Sequence, residues 1–94
     1  MSSLAEILQT PQGERVLRLH GVLALDDASR LRAELTAALD EGPVGVLDLG
    51  GVERMEGAAA SVLADALCAS GDPPRVEGAA EDVASIVALY WRDG

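Results

Sequence analysis

With 94 residues, 49% of them hydrophobic, the chain can enclose one modest core and not two, and with no Phe and a single Trp and Tyr that core has to be built from Leu, Val and Ala. Sixteen acidic side chains against seven arginines leave a net charge of −9, which repels phosphate backbones and anionic lipid surfaces and sets nucleic acid aside as a partner. The start, MSSLAEILQT, has neither a basic segment nor an apolar run of spanning length, so no direct membrane insertion is expected and a soluble, cytoplasmic domain is.

In chain order, residues 4–8 are apolar, TPQGE is a turn cluster, and RVLRL at 15–19 is apolar at Val16, Leu17 and Leu19 only. Two short strands joined as a hairpin are predicted. After Gly21 the segment VLAL leads to Asp26 and Asp27, residue types that favour helix N-caps. A helix over 28–39 follows, in which Leu31, Leu35 and Leu39 recur every fourth position while Arg30, Arg32 and Glu34 lie off that stripe. The two aspartates have no third ligand near them in sequence, so capping rather than metal binding is expected of them.

Gly42 in EGP closes that helix, and 44–49 reads as a strand buried on both faces that ends in a turn made by Gly50 and Gly51. Asp48 is expected to bond the N–H groups beside those glycines; catalysis would need a partner group that the chain does not show. A second helix over 57–69 is built on small residues, with Leu63 and Leu67 as its larger anchors, and small side chains let a helix approach its neighbours closely. Cys68 falls on this helix without a second Cys or a nearby His, and is expected as a small, partly buried side chain.

SGDPP breaks the chain, 75–77 is a short strand, Gly78 turns it, and 81–91 is a third helix with Val83, Ile86, Val87 and Tyr90 at i, i+3, i+4 and i+7. Trp91, on the last turn, either packs back on the core or marks a piece of a longer protein, and the second reading is preferred. The expected fold is α/β: one domain, 1–94, with a small mixed sheet of about four to five strands, partly parallel through right-handed crossovers, and three main helices. His20, the sole histidine, is expected at a strand end. No nucleophile elbow and no GxGxxG or GxxxxGK loop occurs, so no catalytic residue, metal or cofactor is assigned and the chain is not expected to be an enzyme.

The order strand, helix, strand, Gly-containing turn, helix, strand, helix, with LDLGGVERMEGAAASVL at 47–63, resembles the STAS family over residues 14–90. That is the domain of anti-sigma factor antagonists, of sulfate transporter tails and of the small cytoplasmic partner of Mla-type lipid-transport ABC permeases. Asp48, Leu49, Gly51 and Val52 match the family's strand and its exit, and Glu56 stands where the family usually has Asp. The family's phosphorylatable Ser or Thr falls at Ala58, or at Gly57 if the register slips by one, and the Gly after it at Ala59. A kinase needs a hydroxyl there, and Ala58 has none. Ser61, further into the helix, is expected to bond its own backbone.

The resemblance implies a non-catalytic protein-interaction module. Its expected contact face is the loop 51–57 with the first turns of the second helix, comprising Glu56, Gly57, Ala58, Ala59, Ala60 and Val62; a smooth alanine surface docks with few rotamers frozen. GVERM, the small-residue run and EGAAEDVASIVALY are most similar to the Mla type, a regulatory or assembly component partnered by an ABC permease and its ATPase. The alternative is an anti-sigma factor antagonist-like partner-switching protein without the usual hydroxyl. A third class, a sensor holding a small anion at the helix start, is opposed by the charge of Glu56.

Overall fold

Alternation of side chains along two central strands decides which way the molecule is built. In the computed structural model, which describes residues 4–68 and 73–91, strand β1 (Ala5–Gln9) returns as β2 (Arg15–Leu23) through a turn closed by Thr10 N–H to Glu14 O at 2.9 Å. Gly13, at φ +88°, supplies the left-handed residue of that turn. Helix α1 (Ala28–Asp40) leads to β3 (Val46–Met55), α2 (Gly57–Leu67) to β4 (Arg75–Glu77), and α3 (Glu81–Tyr90) ends the described chain. The strands form one four-stranded mixed sheet in the order β1-β2-β3-β4, antiparallel between β1 and β2 and parallel thereafter.

Leu17 and Leu19 of β2 and Leu47 and Leu49 of β3 are fully buried beneath the helices, while the residues between them, Arg18 and Asp48, look out from the opposite side. Leu31 and Leu35 bring α1 onto this core, Leu63 and Leu67 bring α2, and Val83 and Val87 bring α3. Small side chains let α2 lie between the other two helices, in contact with both.

Three expectations about the strands are corrected. β3 does not end at Gly50 and Gly51 but runs through both to Met55. Arg18 faces Asp48 and His20 faces Gly51, so β3 carries one residue more than β2 over that stretch, and the glycines are absorbed as a bulge. A Cβ on Gly51 would lie 3.0 Å from His20 Cβ and 3.2 Å from Leu19 O, so glycine serves a close approach of two strands there and not a turn. β2 likewise passes through Gly21 to Leu23, which leaves His20 inside the strand rather than at its end. Nor is β3 covered on both faces, because all three helices use one.

At the start of α1, Asp27 occupies the N-cap position but makes no side-chain cap bond to the helix. Its carboxylate accepts from Ala24 N–H at 3.0 Å and so closes a 3-10 turn at Leu25–Asp27. α2 ends at Leu67 with the half-buried Cys68 at its C-cap, and Ala69 lies outside the described residues. Trp91 packs back against the core, the first of its two expected placements.

Candidate functional site

The corner between β3 and α2 is a single residue, Glu56, in extended conformation at φ −92° and ψ 160°. Its carbonyl starts the helix by accepting from Ala60 N–H at 3.1 Å, and its own N–H donates to Leu23 O at 2.9 Å. The carboxylate does not cap α2. Oε1 accepts from Leu25 N–H at 2.9 Å, and Oε2 lies 3.7 Å from Arg54 Nη2. Glu56 therefore ties the exit of β3 to the 3-10 turn after β2, holding two neighbouring strand-to-helix corners at one end of the sheet in fixed relation.

Helical periodicity then sorts the residues after it. Ala59 and Ala60 are 0% exposed and Val62 7%, all within the core with Leu63 and Leu67. These three cannot belong to an outward contact face as expected, because the stripe that anchors Leu63 and Leu67 extends back through them. An arginine at 59 would be forced into the core. Gly57, Ala58 and Ser61 remain partly exposed on the outer side, and Asp65 below them reaches Arg32 of α1 at 3.9 Å.

Two flanking residues were missed. Leu25, read as part of an apolar run, is 66% exposed beside Glu56, and Tyr90, read as a core position of α3, is 40% exposed. A Cβ on Gly57 would stand 3.0 Å from Tyr90 Oη, so the tyrosine lies over the first turn of α2. The outer surface of the corner thus consists of Leu25, Gly57, Ala58, Ser61 and Tyr90. The signal for Leu25 was available in Asp26 and Asp27: a leucine directly ahead of two acids that start a turn has little chance of pointing inward.

Asp48 sits apart from this corner on the open side of the sheet. Its Oδ1 accepts from Gly50 N–H at 2.9 Å, as expected, and its Oδ2 from Arg18 Nε at 3.1 Å. The Gly50 bond, helped by Arg18, holds the carboxyl below its ordinary range, which suits a structural anion rather than a proton donor. Among the described residues no three His, Cys, Asp or Glu side chains come together as a metal site would require, and no helix is long and apolar enough to cross a membrane.

A family model described as the Mlab STAS domain matches residues 7–91. The chain belongs to the STAS family. Among solved structures, this STAS domain is similar to the anti-sigma factor antagonist SpoIIAA in its unphosphorylated form, with a TM-score of 0.61 and 14% identity over 96% of this chain and 88% of that one. It is also similar to the protein in a crystal structure analysis of Mglu, with a TM-score of 0.61 and 22% identity over 83% of this chain and 20% of that one. At such identities the likeness is one of fold. No curated protein matches the sequence.

Proposed function

We propose that this STAS domain is a non-catalytic, cytoplasmic interaction module that docks a protein partner through the start of α2, and that the partner is the permease and ATPase of an Mla-type phospholipid-transport ABC transporter. The observation that carries the docking surface is the outer side of the β3–α2 corner, where the half-buried Gly57 and Ala58 are flanked by the exposed Leu25 and Tyr90. Such a surface is apolar and of low relief, and it is held rigidly by Glu56, so a partner helix can approach without ordering long side chains. The Mla-type reading is supported by the description of the family model that matches the chain. The domain is read as one unit over 1–94.

A second reading, partner switching with an anti-sigma factor, draws on the likeness to SpoIIAA. Ala58 weighs against its phosphorylated form, since an alanine offers no acceptor at the matching position. Incubation with an anti-sigma kinase and ATP is expected to leave the domain unmodified; phosphoserine mapped to Ser61 would overturn that.

The deciding experiment is affinity capture of the tagged domain from cells that make it, with membranes solubilised in mild detergent, followed by mass spectrometry. Recovery of an ABC permease with its ATPase, lost with a folded Ala58→Arg variant, is the expected result. Recovery of a soluble kinase-like anti-sigma factor instead would replace the transporter reading with the second one. Unimpaired capture by Ala58→Arg would move the contact away from α2.

A further inference from the structure

We propose that a second copy of this chain pairs with it along the outer edge of β4, joining two four-stranded sheets into one across a two-fold axis at Val76. β4 is bonded to β3 on one side and to nothing on the other among the described residues. Arg75 N–H donates to Gly45 O at 3.0 Å, and alternation in a parallel ladder therefore turns the N–H and C=O of Val76 toward the open side. An unpaired edge is a template for another strand.

The three residues of β4 read Arg-Val-Glu, which is self-complementary when run antiparallel. Centring on Val76 lets each Val76 N–H donate to the other copy's Val76 carbonyl, and sets each exposed Arg75 directly across from the partner's Glu77. The opposite edge offers no such match. β1 reads Ala-Glu-Ile-Leu-Gln, so pairing about Ile7 would set Glu6 against leucine, and the entry to β1 is already tied down by the Glu34 carboxylate, which accepts from Leu4 and Ala5 N–H at 3.3 and 3.2 Å.

Three residues alone cover too little surface, stable pairs burying about 1,600 Å² in total. The remainder comes from the apolar groove beside β4, about 410 Å³ in volume, lined by Val76 and Ala79, by Ala84 and Ala88 of α3, and by Trp91 just after that helix. Ala84 and Ala88 are exposed, and as small residues one turn apart they let the two α3 helices come close across the same axis. Charge order on the strand and apolar surface on the helix thus call for the same partner. This face is separate from the start of α2, and the inference does not rest on the transporter reading.

Sedimentation equilibrium of the 94-residue chain, followed over about a hundredfold range of concentration, is expected to show a monomer–dimer equilibrium. Arg75→Glu places Glu opposite Glu and Glu77→Arg places Arg opposite Arg, so each variant alone is expected to dimerise about tenfold or more weakly, with an unchanged circular dichroism spectrum. Mixed in equal amounts the two variants become complementary again, and a heterodimer at wild-type strength is the expected result. Slowed hydrogen exchange at Val76 N–H should appear in the wild type and in the mixture only. A wild type that stays monomeric throughout, single variants that dimerise as well as the wild type, or a mixture that fails to pair would each overturn the proposal.

Discussion

The two faces of this sheet are made from alternate residues of the same strands, yet they are held by different physics. Under the helices, Leu17, Leu19, Leu47 and Leu49 are sealed from water. On the open face, Arg18 bridges Glu6 at 3.7 Å and Asp48 at 3.1 Å, and Arg75 bridges Glu14 at 3.1 Å and Glu77 at 3.3 Å. The first face is stabilised by area removed from water, which involves no titrating group and no charge for salt to screen. The second consists of exposed ion pairs, each worth little by itself. What the contrast teaches is that the covered face supplies the stability and, because a one-residue slip would turn its leucines to water, the register as well, while the open face adds cross-strand ion pairs.

Substitutions can break that contrast at decreasing cost. Leu47→Ala is expected to lose about 2–5 kcal/mol, because the site is fully enclosed and leaves a cavity, and urea denaturation measures it. Gly78→Ala comes next, at about 1–3 kcal/mol. Gly78 stands at φ +77°, and a Cβ there would lie 3.0 Å from Asp48 Oδ1 and 3.1 Å from Gly50 N. Gly13→Ala, at φ +88° with open space around it, isolates the backbone part of that penalty and should cost less, about 1 kcal/mol.

Asp48 sharpens the comparison through pH. Its carboxyl is held low by Gly50 N–H and then by Arg18, so its folded pKa lies below the unfolded one. The stabilisation it provides is full above about pH 4 and is lost as pH falls through the folded value. Asp48→Asn should therefore be less stable than the wild type at neutral pH and converge on it in acid; parallel curves down to low pH would contradict the assignment. The smallest effect is expected from Arg18→Ala, about 0–1 kcal/mol and shrinking with added salt, since Arg18 itself and its partner Glu6 are exposed.

Much of the fold was legible. The helix expected over 28–39 is Ala28–Asp40, the strand at 75–77 is Arg75–Glu77, and the third helix, expected to 91, ends at Tyr90. Each has a local signal strong enough to survive packing, whether a leucine stripe, a break on either side or an apolar i, i+3, i+4 pattern. Gly50 and Gly51 were misread because a glycine pair carries the same local signal in a turn and in a bulge; the passage of His20 at 3.0 Å from where a Cβ on Gly51 would sit is a long-range fact. Of the residues expected on the contact face, Ala59, Ala60 and Val62 are buried in the core. In a run of alanines no side chain is larger than the next, so the run itself does not say which side faces inward, and only projection back from Leu63 and Leu67 separates the buried Ala59 and Ala60 from the exposed side of Ala58.

The sequence by itself determined the fold class and the strand and helix order, because each is written in composition or in spacings within one element, and its resemblance to the STAS family put an alanine, without a hydroxyl, at position 58. Which sheet face the helices cover, the use of Glu56 as a tie to Leu25 rather than as a cap, and the exposed company of Leu25 and Tyr90 beside α2 were decided by tertiary structure alone. Those features depend on residues more than thirty positions apart meeting at one corner, as Leu25 and Glu56 do at a separation of 31, and no periodicity within an element encodes such a meeting.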